Sequence, residues 1–286
     1  SSIEHALNRV CVSHQQLVSL NPLLGKKVGC RTICKTPVLY RMALIADSEV
    51  PNLERDNKQP YDKATAGSSA LHAALWRNLI AEIAHWLGEE FVSVINDFEK
   101  FFDTLDIPIL LAEAIAVGFP IRKLAFLIQQ HIAPRLIQAG GFSDDPMQIF
   151  GSIIAGCKAS VALTRVYLKR SLTKIDNKFK SANTSVLIDD TSMQSTDKEL
   201  DGVLGKIVPA TVAFGDEVLK LKLSLSPKAV LTASTPKLAS LLHSELASYG
   251  MKFSINSTAR DLGVTHTAAA HRPSKLILSR FNKRKK

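Results

Sequence analysis

The chain reads as an α+β fold, because strand-like and helix-like apolar periods alternate along it without the regular spacing of a parallel α/β array. Two short apolar runs carry the clearest signal. Residues 91–95, Phe-Val-Ser-Val-Ile, are followed by Asp97, and residues 185–188, Ser-Val-Leu-Ile, are followed directly by Asp189-Asp190. Helical stripes separate such runs. At 286 residues, 46% hydrophobic and 22% charged, the chain is long and apolar enough to bury a core in one or two domains. There is no internal repeat and no low-complexity stretch.

The elements follow in order. Residues 3–20 place Ile3, Leu7, Val10, Leu17 and Leu20 at helical spacing. A turn at Gly25-Lys26-Lys27-Val28-Gly29 leads into Cys30 to Pro37, where Arg31 and Lys35 alternate with Ile33 as on a basic strand or hairpin edge. A helix starts at Val38, and residues 46–63, broken by Pro51 and Pro60, read as a loop. From 68 to 87, Leu71, Leu75, Leu79, Ile83, Trp86 and Leu87 form one stripe, the pattern of a core-facing helix, with Gly88 as its stop. Further helices are predicted over 107–117, 121–139, about 156–172, 198–219 (kinked or split at Pro209) and 235–249. Strands are predicted over 91–96, 147–154, 183–188, 223–233, 252–255 and 262–264.

Composition narrows the function. A net charge of +10 and a pI near 9.5 fit a polyanionic partner, most simply nucleic acid, or else an ordinary basic protein. Four cysteines are too sparse for a disulfide scaffold and predict free thiols in an intracellular compartment, nucleus or cytoplasm. Cys11, His14, Cys30 and Cys34 are spaced as zinc ligands can be, but Cys34 lies in an alternating apolar run, so zinc is not the expectation. No secretory signal and no membrane-length apolar run occurs. The lack of an initiator Met and the abrupt basic end read as a fragment of something longer. No P-loop motif is present, and the eight histidines form no hydrolase triad.

Two strand-like runs that each deliver aspartate can lie side by side and gather their carboxylates. Such a cluster suits Mg²⁺, which takes oxygen ligands and is often held by one or two carboxylates plus substrate phosphates. Two ions held this way clamp the attacking and leaving oxygens of a phosphoryl transfer.

Over about residues 25–265 the order of motifs resembles the fingers and palm of non-LTR (LINE-type) retrotransposon reverse transcriptases. Asp97-Phe98-Glu99-Lys100-Phe101-Phe102-Asp103 is similar to that family's first catalytic motif, D-x-x-K-A-F-D. The resemblance makes Asp97 a metal ligand and Phe102 the aromatic residue that crowds a sugar 2′-OH. Phe101 replaces a small residue and reads equally as core, and Asp103 reads as structural. Gly156 and Ser160 match a Q-G-x-x-x-S turn, and Leu187-Ile188-Asp189-Asp190 resembles the tyrosine-x-Asp-Asp hairpin. That makes Asp189 the second metal ligand and Asp190 the supporting acid. Lys228, in Leu225-Ser226-Pro227-Lys228, falls at a lysine near the leaving pyrophosphate, or is a solvated surface lysine. Arg31 matches an arginine that holds the incoming triphosphate, with Lys26, Lys27 and Lys35 as helpers. Arg260 to Val264 resembles the primer-grip segment.

The resemblance implies a right-hand polymerase palm, a small antiparallel sheet backed by helices, plus a partial fingers region, with the thumb mostly absent. It divides the chain into a fingers-like region over 1–90, a palm-like catalytic region over 91–265 and a basic tail over 266–286. The implied activity is RNA-directed DNA polymerisation with two Mg²⁺ ions, an RNA template, a DNA primer and deoxynucleoside triphosphates, without a membrane partner. Departures at Phe101, Ala155 and Leu187 leave room for an inactive, nucleic-acid-binding relic of the same fold. An RNA-directed RNA polymerase is a third reading, against which Phe102 and Leu262-Gly263 argue.

Overall fold

The computed structural model describes residues 17–25, 30–65, 67–262 and 264–268. Most of the helix expected over 3–20 lies outside these residues, as do Cys11, His14, Lys26, Lys27 and the tail beyond Ala268. The side chains of Cys30, Arg31 and Arg260 lie outside them too.

The described chain begins with strands β1 (Ser19–Gly25) and β2 (Cys30–Thr32), followed by helices α1 (Val38–Ala46) and α2 (Glu49–Asp56). Helix α2 occupies part of the expected loop. Pro51 is its third residue, in the first turn, where a missing N–H breaks no intrahelical bond. Helix α3 (Ala70–Trp86) is capped by Ser69, whose hydroxyl accepts from the His72 N–H. Strand β3 (Glu90–Asn96) precedes α4 (Phe101–Thr104), α5 (Ile107–Ala116) and α6 (Ile121–His131). The helix expected to continue to residue 139 stops at His131. Pro134 disfavours helical backbone at the residue before it, and Arg135–Ala139 becomes strand β4, paired with β5 (Phe142–Ser143). Residues 147–154 are not the expected strand; only Met147 bridges, to Arg135.

Helix α7 (Lys158–Lys178) runs past its expected end. Strand β6 (Asn183–Leu187) turns tightly into β7 (Asp190–Asp197). Then come α8 (Leu200–Lys220), β8 (Val230–Ala233), α9 (Pro236–Ser248), β9 (Ser254–Ile255), β10 (Thr258–Asp261) and β11 (Val264–Thr267). Pro209 lies inside α8 without dividing it. Among the described residues no helix is long and apolar enough to cross a membrane.

The chain forms two compact units. The first comprises the described residues up to 58, with 100–170 and 221–223. It holds the sheet β2-β1-β4-β5, in which β1 and β4 run parallel. Its core includes Tyr40 stacked on Phe126, with Leu110, Leu124, Ile153, Ile154 and Leu163 buried. Cys34 and Cys157 are buried free thiols, as expected.

The second unit comprises the described residues of 59–99, 171–220 and 224–268. Its sheet has the order β6-β7-β3-β8-β9, antiparallel except for the pair β8 and β9. The register sets opposing residues on the same face. Val94 lies between Met193 and Leu231, and all three are fully buried. Helices α8 and α9 pack against these strands. The other face carries Ser93 between Gln194 and Thr232, with Ser185 opposite Ser192. Helix α3 covers this face. Its Ala81 and Ala84 pack with Phe91 and with Ala268 just beyond β11.

Helix α3 inverts the expected burial. Leu71, Leu75, Trp76, Leu79 and Ile83 are exposed and Trp86 is 84% exposed, while Ala73, Ala74, Arg77, Ala81 and Ala84 face inward. Alanine allows the helix axis to approach the sheet closely, which a leucine stripe would prevent.

Candidate active site

Asp97 follows the last residue of β3. The register of β3 with β7 ends at Asn96 opposite Thr191, so Asp97 and Asp190 are the next residues along those two strands at one end of the sheet. The β6–β7 hairpin closes through Leu187 opposite Asp190, with Ile188 and Asp189 as its two-residue turn. Ile188 takes φ +61°, a left-handed conformation unfavourable for a β-branched residue. Backbone strain of this kind is retained where the surrounding structure holds it, and here it sets the approach of Asp189. Asp97, Asp189 and Asp190 are all half-buried.

The carboxylates affect one another. Burial, then Asp189, Asp261 and Asp97, push Asp190 up to about 6, while Arg77 pulls the other way. Asn96, fully buried beside Asp97, has neither its amide nitrogen nor its oxygen hydrogen-bonded among the described residues. Among the described residues no three His, Cys, Asp or Glu side chains converge to hold a metal by themselves. The donor set is nevertheless all oxygen, with mutually repelling acids, and a hard cation needs only one or two carboxylates when substrate phosphates complete its shell.

The segment carrying Lys228 lies alongside Asp97. Glu99 N–H donates to the Ser224 carbonyl, Phe98 bridges Leu225, and Ser226 N–H donates to the Asp97 carbonyl at 2.7 Å. Lys228, exposed, stands two residues beyond Ser226, and its own N–H donates to the Ser226 hydroxyl. Phe98, buried, contacts Phe214 with ring centroids 6.2 Å apart. The structure thus gathers Asp97, Asp189, Asp190 and the Lys228 segment in one unit.

The other expected site residues belong to the first unit. Phe102 is half-buried, meets Phe101 edge-on at 5.5 Å, and its carbonyl accepts from Ile153 N–H. Phe101 is core, at 3% exposure. Asp103 is exposed on α4. Gly156 has φ +92°, and a methyl there would sit 3.4 Å from Ile33 Cγ2, so the turn suits glycine. Ser160 is buried, and its hydroxyl donates to the Ile154 carbonyl at 2.5 Å, bracing that turn from inside. Arg31 lies on β2.

Sequence reasoning missed Arg77. It is 1% exposed, its Nη1 donates to Asp261 Oδ1 at 2.6 Å, its Nε to the Ser185 hydroxyl at 3.1 Å and its Nη2 to the Ser185 carbonyl at 3.0 Å. The signal was there: a lone arginine spaced at i−4 and i+4 from Ala73 and Ala81. His266, which reads as a tail residue, is fully buried in β11, and burial followed by the charge of Arg77 holds it down to about 4.

No protein-family model matches this chain, and no curated protein matches it. Solved structures do. The apo telomerase of Candida tropicalis truncated from its C-terminal domain aligns with TM-score 0.56 and 12% identity, over 93% of this chain and 57% of that one. The mixed α+β fold of this chain is similar to that of the telomerase structures. Apo telomerase of the same organism gives TM-score 0.55 and 12% identity, over 94% of this chain and 52% of that one. Telomerase of Candida albicans in complex with a TWJ fragment of telomeric RNA gives 0.53 and 11%, over 89% and 45%. The chain therefore spans about half the length of these structures. The α+β fold shared with them accords with the expected class, and at these identities the likeness speaks for fold alone.

Proposed function

We propose that this chain is the fingers-and-palm part of an RNA-directed DNA polymerase of the LINE-type retrotransposon class. The observation that carries the reading is the strand register: Asp97 and Asp190 are the next residues beyond the opposed pair Asn96 and Thr191, with Asp189 in the adjoining turn. The telomerase likeness and the charge of +10 support it.

Asp97 and Asp189 would hold two Mg²⁺ ions, with Asp190 supporting. The ions supply Lewis-acid charge that lowers the pKa of a primer 3′-OH and neutralises the triphosphate. The family resemblance gives the remaining roles to the chain's own residues, each taken by itself. By that resemblance Arg31 would offer a planar fork to triphosphate oxygens. Phe102 crowds a ribose 2′-OH and so favours deoxynucleoside triphosphates. Lys228, on the segment anchored to the Asp97 carbonyl, donates a proton or charge to the departing pyrophosphate. Gly156 lets backbone approach the substrate, with Ser160 bracing its turn. The basic surface holds an RNA template and DNA primer by their backbones, without reading sequence.

The test is primer extension on an RNA template with Mg²⁺, comparing deoxynucleotides with ribonucleotides. Wild type should extend with deoxynucleotides, and Asp97→Asn and Asp189→Asn should each lose about 10²–10³-fold or more. Equal extension by the variants sinks the assignment. A wild type that binds template-primer without extending it, indifferent to Mg²⁺, supports an inactive relic, a reading favoured by the departures at Phe101, Ala155 and Leu187 from the motifs the chain resembles.

A further inference from the structure

We propose that Arg77 is a positioning residue that locks the β10–β11 hairpin to strand β6, so that the hairpin and the Asp189-Asp190 turn keep one fixed relation. The inference rests on the polymerase reading only for its kinetic consequence.

Two elements need joining. Strand β6 is the edge of the five-stranded sheet and runs straight into the turn that carries Asp189. The hairpin β10–β11 is a separate two-stranded sheet, and no described ladder pairs it with β6. Arg77 bonds to both. Its Nη1 takes Asp261, the last residue of β10 before the hairpin turn, and its Nε and Nη2 take the hydroxyl and carbonyl of Ser185, four residues before Asp189. The helix is held to the sheet at the same residue, because the Gln194 amide nitrogen donates to the Arg77 carbonyl at 3.1 Å from β7, the strand next to β6. A guanidinium directs several N–H groups in one plane, so these bonds fix angle as well as distance.

The cluster is built at a cost that stability alone does not explain. Arg77 and Asp261 are 1% and 2% exposed, and a buried ion pair seldom outdoes well-packed apolar residues of the same volume. Asp261 Oδ2 and both His266 nitrogens are buried and meet no hydrogen-bond partner among the described residues, so the described cluster falls short of full polar satisfaction. What the pair does supply is a directional joint between the turn bearing the carboxylates and the tip of the hairpin. Leu262, at that tip, takes φ +47°, so the chain reverses sharply just beyond Asp261. A hairpin so fixed would hold a primer end in register with Asp189. Misplacement of reacting groups by about 1 Å costs on the order of 10²-fold in rate.

Arg77→Lys keeps the charge and loses the fork, and Asp261→Asn keeps an acceptor and loses the charge. Two measurements on the full chain separate positioning from bulk stability. The first is hydrogen exchange of residues 183–187 and 258–267. The second is kcat and KM for the deoxynucleotide in primer extension, taken where circular dichroism shows the variant folded. In Arg77→Lys both segments should exchange faster together, and kcat should fall about 10–100-fold with KM within a few-fold of wild type. Unchanged exchange, faster exchange in the hairpin alone, or an unaltered kcat overturns the proposal. Should Arg77→Lys not fold, Asp261→Asn carries the same comparison with a smaller expected drop. If wild type extends no primer, the polymerase reading falls, and the exchange result still decides whether Arg77 couples the two segments.

Discussion

His131 should make the first unit acid-sensitive. It is fully buried, and its Nδ1 accepts the Ile154 N–H at 2.8 Å, so the neutral ring carries its proton on Nε2. Burial, aided by Arg135, holds it down to about 3 against an ordinary 6.5. Between those values the unfolded chain binds a proton that the folded chain does not, so stability falls as pH falls through 6.5 toward 3. At pH 4.5 the unfolded imidazole is about 2 units below its pKa while the folded one is still neutral, which amounts to about 3 kcal/mol. His131→Gln removes the titration and leaves an amide oxygen to accept from Ile154. Urea unfolding of both proteins by circular dichroism at pH 7.5 and 4.5 gives the comparison. All other titrating groups, His266 included, are shared and cancel in the difference. Wild type should lose about 3 kcal/mol more than the variant on acidification. Losses that agree to within about 1 kcal/mol would refute the reasoning, since a pKa near 3 requires the gap.

Three further outcomes follow from packing. Leu79→Lys on the outer face of α3 should shift stability by no more than about 0.5 kcal/mol, whereas Ala84→Leu on its inner face should cost about 1–3 kcal/mol, both read from urea midpoints. The opposite order would mean that the leucine stripe faces the core after all. Gly156→Ala should cost about 1–3 kcal/mol in a thermal melt, from the strained φ of +92°; an unchanged melt would deny the turn its glycine requirement. Met193→Ala, in the fully buried row between β6 and β3, should cost about 2–5 kcal/mol, and a loss under about 1 kcal/mol would contradict its burial.

The candidate site was readable in part. Asp97 and Asp189-Asp190 stood out because each ends an apolar run, and a strand's period of two places such a residue without knowledge of the rest. Strand β7 was invisible. Thr191-Ser192-Met193-Gln194-Ser195-Thr196 has one large apolar residue, yet it lies between β6 and β3, with Ser192 and Gln194 on the face covered by α3 and Thr191 and Ser195 on the face of Met193. Proline rules worked in both directions. They anticipated the caution at Pro209 but not its accommodation inside α8, and they overstated the loop around Pro51, whose first-turn position carries no penalty.

By itself the sequence determined periods, stops and carboxylates: which residues share a face of α3, that Gly88 follows its end, and that two strands lead into aspartate. Those are local properties, set by backbone geometry over a few residues. Tertiary structure decided which face of α3 turns inward, that Arg77 meets Ser185 and Asp261, and that Asp97 lies one step beyond a pair that brings β3 beside β7. Periodicity identifies two faces of a helix but is silent on what will be packed against either. Here close packing against a sheet of serines and threonines favours alanines and one arginine over the larger leucines. That choice depends on partners far away in the chain.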